Sequence, residues 1–422
     1  MIRLARRSIY TIVMLGIALA LTQIPVYGIN QEYISYLFSS VSVLGFMDTL
    51  SGGALSNLSL GAFGITSYIT ASIIIQMLSA VIPALERAHR QRKKTDRATF
   101  WLSMAITLCG TMLLVSSYSG LFMEFIPKNV IPAAAGWLGG SAVIIVLAKK
   151  NDDWGIGNGV SLVLAANILS RILPALKNLY DEKIAGKEAA VMGKDIFFVL
   201  LALFAAYFIT MYFQKGVLEV PVRPTRKPAA SYSPDGVLPV KASIANVMPV
   251  IFASAVISMP VLAATLCGLD WDTKAGKILL VFDQSSWWDT GDLYWLAGFG
   301  IYVFLLIFMG FYYSNYSFNS AEIAARMRQC GDVIPGISPG MEMELYLEKR
   351  RKVMTGVCVA FLLVLSIAPD FACAVKEIST LPFLGTSLVI IVNVLFDTAA
   401  RLRATCMPLS TKFALFREGG FL

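Results

Sequence analysis

Apolar blocks of roughly 18–22 residues recur along this chain, and no other feature limits its fold so severely. A helix of about 20 residues, rising ~1.5 Å per residue, spans a ~30 Å hydrocarbon core. The blocks are continuous rather than alternating, which predicts spanning helices and argues against a transmembrane β-barrel built from ~10-residue alternating strands. Composition agrees: 57% of the 422 residues are hydrophobic, 15% are charged and the mean hydropathy is +0.68. A water-soluble domain needs more polar surface than this.

The predicted fold class is an all-α polytopic membrane protein with ten spans. They lie near Ser8–Ile29, Gly61–Ile82, Phe100–Tyr118, Ile131–Ala148, Gly157–Ala175, Ile196–Phe213, Ala245–Leu266, Tyr294–Asn315, Val353–Ala368 and Leu384–Leu402. Arg3, Arg6 and Arg7 precede the first block as in a signal peptide. Its length and the poor cleavage match at Pro25–Tyr27 predict a retained span instead. With both termini on one side, that side collects most of the 35 Lys and Arg residues, so the positive-inside rule predicts cytoplasmic termini in the cell membrane. The net charge of +8 is then a topology signal, and nucleic-acid binding is not expected. Ten spans divide into two groups of five, and an odd number per half inverts the second half relative to the first.

Two loops on the positive side exceed simple connectors. Lys215–Lys241 contains Pro221, Pro224, Pro228, Pro234 and Pro239 with Arg223, Arg226 and Lys227 at its tip. β-branched residues flank its turn-rich centre, which predicts a stiff hairpin. Residues 316–352 place a Pro/Gly turn at Ile334–Gly340 before a charged helix. Arg223, Arg226, Lys227, Pro335, Gly336, Ser338 and Gly340 are the candidate docking residues. On the opposite side Phe38–Asn57 is Gly/Ser-rich and lacks Lys and Arg, and Trp271, Trp287, Trp288 and Trp295 fit an interfacial belt.

Catalytic patterns do not emerge. The six cysteines lack CxxC or metal spacing, and the single His89 sits in a basic loop, so neither metal nor cofactor is expected. "GIGNG" at Gly155–Gly159 has no strand before it and no Lys after it, and Ser338 in "GISPG" has no plausible His partner. Asp and Glu are nearly absent from span centres, with Asp397 near an inner end, which counts against a coupled pump. What remains is aliphatic residues one helical turn apart: Ile65, Ile69 and Ile73, then Val160 and Leu164, with Ile251 after Pro249 and Ile390 in "TSLVIIVNV". Taken alone, these pack or face lipid. Ser67, Ala71, Ser72 and Ser79 suit close helix contact and cross-helix hydrogen bonds.

Read together, the motifs carry a family likeness. "LSGGALSNLSLGAFGITSYITASIIIQML" (Leu50–Leu78) resembles the plug and second span of the SecY family, the central subunit of the bacterial protein-conducting channel. "WGIGNGVSLVLA" resembles the opening of its fifth span and "LPVKASIANVMPVIFAS" its seventh. "FNSAEIAARMRQCGDVIPGISPG" resembles its large cytoplasmic loop, and "LGTSLVIIV" its tenth span. The order is the family's, over nearly the whole chain.

The resemblance implies two inverted five-helix halves, 1–178 and 179–422, hinged as a clamshell. It implies a constriction ring of Ile65, Ile69, Val160, Leu164, Ile251 and Ile390. It implies a plug at about 46–58 that includes Phe46, Asp48, Leu50, Gly52, Gly53, Leu55 and Leu58. It implies a lateral gate where Thr70 and Ile73 face Ala255 and Met259, with the hydroxyls of the second span bordering a hydrated crevice. Unfolded polypeptides would cross the membrane, and signal sequences or membrane helices would leave sideways into lipid. The implied partners are SecE-like and SecG-like small subunits, a SecA-type motor ATPase or a ribosome on the cytoplasmic loops, signal peptides and nascent secretory proteins. Ser338 stands where the family has Arg, Ser320 replaces the Pro of "FNP", Met259 alters the gate, and the tail after Leu402 is short. These departures point to a divergent or accessory member. The competing reading, a secondary transporter with a 5+5 inverted repeat, needs a midplane charge or an unwound ion-binding helix, and neither is evident. A passive scaffold would not need a mobile Gly/Ser plug.

Overall fold

The computed structural model describes residues 2–27, 29, 51–81, 92–117, 127–179, 204, 207–225, 236–245, 248–266, 273–282, 287, 294–376 and 384–406. The protein is mostly helical. In chain order come α1 (Ile2–Gln23), α2 (Gly64–Val81), α3 (Arg92–Ser117), α4 (Pro127–Trp154) and α5 (Gly159–Leu179). Residues 207–215 are helical and lead into β1 (Val217–Pro221), β2 (Arg223–Pro224) and β3 (Val237–Lys241). Then follow α6 (Met248–Leu266), α7 (Lys274–Leu279), α8 (Tyr294–Ser317), α9 (Ser320–Cys330), β4 (Asp332–Val333), α10 (Met341–Lys376) and α11 (Leu384–Cys406). Two compact units form, Met1–Lys183 with Ala255–Phe299, and Ile184–Ser254 with Gly300–Leu422.

Element ends depart from the predicted spans for local reasons. α1 stops at Gln23 rather than Ile29, because Pro25 removes a donor and forces the residue before it toward extended backbone. The predicted span Val353–Ala368 lies inside the 36-residue α10, so the charged helix and the apolar one are a single rod roughly 54 Å long. Among the described residues, four helical stretches are long and apolar enough to cross a membrane: Ala5–Gln23, Thr95–Ser116, Asn129–Trp154 and Ala297–Cys330. Gly64–Ser79, Gly159–Arg171 and Met248–Val261 are apolar but shorter.

In the first unit, α2, α3 and α4 pack on one another, with α1 and α5 against α4. Its centre is Trp137, fully buried with Leu58, Ala62, Ala133 and Leu114. The Trp137 indole donates to the Leu58 carbonyl at 3.3 Å, and Phe63 meets its ring edge-on at 6.1 Å. Leu58 has φ +40°, a left-handed conformation that costs a non-glycine residue, held here by that hydrogen bond and its burial.

In the second unit the predicted hairpin forms, with β1 antiparallel to β3 from Val217↔Lys241 to Pro221↔Val237. Gly310 lets α8 lie against α10, where an added Cβ would overlap Val359. Ser314 bonds Thr355 across the same contact, and Tyr302 bonds Ser366. Gln214 donates to Asn393 of α11 at 2.8 Å, both side chains buried.

Adjacent glycines in α4 test this packing. A Cβ on Gly140 would collide with the Leu60 backbone carbonyl, whereas Gly139 has open space around it. Gly140→Ala should destabilise the protein by about 1–3 kcal/mol, while Gly139→Ala should leave stability equal or slightly higher. Thermal midpoints of the purified variants in detergent measure both.

Candidate functional site

Four of the six predicted ring residues stand on two helices of the first unit that pack together. Ile65 and Ile69 are one turn apart on α2, and Val160 and Leu164 are one turn apart on α5, so each pair shares a helix face. Ile65 and Leu164 are buried, and Ile69 and Val160 are half-buried. Ile251 on α6 and Ile390 on α11 belong to the second unit and are buried.

The start of α5 is fixed by the glycine motif. Gly157 has φ +83°, and a Cβ on Gly159 would overlap the Ala148 carbonyl. Asn158 caps the helix, its side chain accepting from Val160 N at 3.1 Å and Ser161 N at 3.4 Å. Asp152 accepts from Gly159 N at 2.9 Å. From α1, the Thr11 hydroxyl donates to Asn151 Oδ1 at 2.8 Å and accepts from Ile156 N at 2.9 Å, while Asn151 Nδ2 donates to Ile156 O at 3.1 Å. The motif is a tight, hydrogen-bonded turn that sets the start of the helix carrying Val160 and Leu164. Thr11 and Asn151 were not legible as parts of it, since nothing in their spacing announces the contact.

The predicted plug is described from Ser51 onward; Phe46, Asp48 and Leu50 lie outside the described residues. Ser51 is helical and residues 52–63 are turns and bends, with Ser59 bridged to Pro25. Leu55 N donates to Ser51 Oγ at 3.1 Å, Asn57 N to Gly53 O at 3.3 Å and Ser59 N to Ala54 O at 2.9 Å. Gly52 and Gly53 have φ of +75° and +85°. Leu55 is half-buried and Leu58 buried. The segment is tied to the end of α1, with Val26 N donating to Leu58 O at 3.4 Å and Leu60 N to Ile24 O at 3.0 Å. Arg171 of α5 donates to Ser56 Oγ at 3.4 Å, a contact the sequence reading did not anticipate.

The hydroxyls of α2 have mixed surroundings. Ser67 is buried and accepts from Thr107 of α3 at 2.9 Å, the cross-helix role that small polar residues suit. Thr66 and Thr70 donate to carbonyls in the preceding turn, and Gln76 donates to Ser72 at 2.9 Å. Thr70 is half-buried, Ile73 and Ala255 are buried, and Met259 is 42% exposed. A further polar link crosses helices near Tyr68, where Lys149 pairs with Asp96 at 2.7 Å and lies 5.2 Å from the Tyr68 ring centroid.

The two candidate docking loops are joined. β2 pairs antiparallel with β4, Arg223↔Val333 and Pro224↔Asp332, and Thr225 N donates to Gly331 O at 3.1 Å. Gly331 is the left-handed C-cap of α9, whose N-cap Asn319 accepts from Glu322 N at 3.2 Å. Pro335 and Gly336 (φ +82°) occupy the centre of a turn closed by Ile337 N to Ile334 O at 3.1 Å, the type II arrangement those residues favour. Ser338 is exposed, and its N–H donates to Glu342 of α10 at 3.2 Å; Gly340 has φ +134°. Arg223 is exposed; Arg226 and Lys227 lie outside the described residues.

Charges around these loops differ in setting. Burial lowers the Lys241 ammonium below the usual lysine range, opposed by Asp397. Burial likewise lowers the Arg351 guanidinium, opposed by Glu348 at 4.0 Å. The Glu348 carboxyl is held low by its hydrogen bond to Lys352 at 2.7 Å. Among the described residues no cluster of three or more His, Cys, Asp or Glu could hold a metal ion.

A family model described as SecY matches residues 59–399. Protein translocase subunit SecY of Halalkalibacterium halodurans is 28% identical over 426 residues, covering 97% of this chain and 96% of the relative. Protein translocase subunit SecY of Streptococcus gordonii is 29% identical over 400 residues, covering 88% and 86%. A solved protein-conducting channel is similar in fold, with a TM-score of 0.65 at 17% identity over 95% of this chain and 92% of the other. Sec61 from a canine ribosome–channel complex of the endoplasmic reticulum gives 0.60 at 16% identity, over 95% and 92%.

Proposed function

The chain belongs to the SecY family, and from that premise we propose how its own residues conduct and gate a polypeptide. It is a membrane protein and a channel-forming subunit of the protein translocase. The observation that carries the function is the SecY match across residues 59–399; a secondary transporter loses its footing there.

In this reading ten spans form two inverted halves, 1–178 and 179–422, in the cell membrane with both termini cytoplasmic. Ile65, Ile69, Val160, Leu164, Ile251 and Ile390 form the constriction. The i, i+4 pairing of the first four on packed helices supports that role. A narrow ring of aliphatic side chains holds few waters and so resists ions by dewetting. The same ring yields to an extended chain of any sequence, because apolar contact has no preferred direction. Residues 46–58 plug the funnel, and Thr70, Ile73, Ala255 and Met259 line the lateral gate through which signal sequences leave for lipid.

Translocation breaks and makes no covalent bond here, so a partner supplies the energy. A SecA-type motor or a ribosome docks on Arg223, Arg226, Lys227 and the turn Pro335, Gly336, Ser338 and Gly340, with SecE-like and SecG-like subunits alongside. The strand pairing of the two loops supports a single docking body. At its tip the family's Arg is Ser338, whose hydroxyl cannot replace the bidentate, charge-assisted contacts of a guanidinium. Coupling to a housekeeping motor is therefore weak, as befits an accessory channel with a dedicated partner.

Three experiments test these assignments. Ile69→Gly combined with Ile251→Gly should wet the constriction and make resting channels leak ions in planar bilayers; a silent bilayer removes these side chains from the pore. Cysteines replacing Thr70 and Met259 should crosslink in the resting channel, block secretion, and release it on reduction. Normal secretion with the bond fully formed takes the pair out of the gate. Ser338→Arg should raise ATP-dependent import into proteoliposomes driven by a housekeeping SecA, at matched channel density. Full wild-type rate with no gain in the variant makes Ser338 a neutral substitution.

A further inference from the structure

We propose that Arg171 is a latch on the plug that sets how readily the channel opens, an inference that rests on reading residues 46–58 as that plug. The geometry begins with two glycines. Gly52 and Gly53 adopt left-handed backbone, and a side chain at either would press on α5, against the Asn167 backbone at Gly52 and against the Arg171 side chain at Gly53. A Cβ on Gly52 would stand 2.9 Å from the Asn167 Cβ, and one on Gly53 would stand 3.0 Å from Arg171 Nη1. Asn167 and Arg171 are one turn apart on α5, so the turn rests on their shared face with no side chain of its own between.

From there the guanidinium reaches along the plug. Arg171 Nη2 donates to Ser56 Oγ at 3.4 Å, and the Ser56 hydroxyl donates its one proton to Gly53 O at 3.1 Å. Gly53 O also accepts from Asn57 N at 3.3 Å. The cation is thus connected through one hydroxyl to the backbone of the turn. Arg171 lies inside α5, in a sequence that stays apolar on both sides of it, where a cation is costly and asks for a partner. Ser56 and the turn are among its partners.

The strength suits a part that must move. A cation-to-hydroxyl contact at 3.4 Å is charge-assisted yet close to the distance limit of a hydrogen bond, so it biases the closed position without fixing it. A carboxylate at position 56 would turn the bias into an ion pair. That gives the latch a signature that a purely structural arginine lacks: a neighbouring substitution should tighten the channel, and only while Arg171 is present.

The test uses the full-length chain, purified with its accompanying membrane subunits and reconstituted in planar bilayers, with resting open probability as the readout. Arg171→Ala should raise opening several-fold, and Arg171→Lys, which keeps the charge but not the fork, should fall between it and wild type. Ser56→Asp should lower opening below wild type and change nothing in the Arg171→Ala background. Deletion of residues 51–58 reports on the plug reading itself and should raise opening further than Arg171→Ala. If the deletion opens the channel while Arg171→Ala and Ser56→Asp both behave as wild type, the latch is wrong and the plug stands. If the deletion also leaves opening unchanged, the plug reading fails and takes the latch with it. Should Arg171→Ala not accumulate, Ser56→Asp and Arg171→Lys still decide, since opening at or above the wild-type level with Ser56→Asp overturns the proposal.

Discussion

Backbone that leaves the helix between apolar segments has to satisfy its own polar groups, and residues 51–63 show how this chain meets that demand. Lipid offers no hydrogen bonds, so irregular backbone at membrane depth survives only where protein encloses it. Here the end of α1 supplies partners: Ile24 O accepts from Leu60 N and Leu21 O accepts from Gly61 N, both at 3.0 Å. α4 supplies Trp137, which covers Leu58 and donates to its carbonyl. Gly140 allows the close approach of Leu60 on which this enclosure depends. α2 starts immediately afterward at Gly64, so the placement of the predicted pore helix follows from how these turns are seated.

Helix positions were legible because the membrane dictates length and apolarity, signals that lie within one segment. The Gly155–Gly159 turn was legible as a motif, and the hairpin of β1 and β3 from proline and β-branched patterning. Contacts between distant segments were not. Thr11 bonds Asn151 and Ile156 across a large sequence separation, and neither composition nor periodicity signals such a meeting. The same holds for β2 with β4, each two residues long and too short to show alternation. Ser67 could be read as bordering water or facing a helix; its bond to Thr107 favours the helix. The end of α1 was misjudged because hydropathy continues past Pro25 although the backbone cannot.

The joining of the two loops bears on how a partner would be gripped. Two-residue strands are marginal alone. They gain from the elements around them: Gly331 closes α9 and accepts from Thr225, and the turn at Pro335–Gly336 leads into α10. α9 and α10 pack together, with Met327, Met343 and Leu347 buried. A force applied at the Ser338 turn therefore reaches α10, a continuous helix whose later residues contact α8 through Thr355 and Ser366. A stiff rod that runs from this turn into its own apolar stretch can transmit displacement where a flexible linker would absorb it.

The hydrogen bonds of residues 51–58 set where the proposed plug would hinge. Within 51–57, Asn57 N bonds Gly53 O and Leu55 N bonds Ser51 Oγ, and these survive if the segment moves as a unit, whereas Leu58 N to Leu55 O and Ser59 N to Ala54 O cross its end. Leu58 differs, since its carbonyl takes bonds from both Val26 and Trp137 and its left-handed backbone is held by burial. A hinge between Asn57 and Leu58 leaves those anchors in place. What such a motion must then break is the Arg171 contact, the packing of the glycines on α5, and the bonds from Leu58 N to Leu55 O and from Ser59 N to Ala54 O. A net hydrogen bond is worth about 1 kcal/mol, and apolar burial about 25 cal/mol per Å². The glycines bring no side chains to that contact, so little apolar area is lost when it opens. A bulkier residue at Gly52 would press on the Asn167 backbone of α5 and would add apolar area to expose on opening, which accounts for small residues where the turn meets that helix.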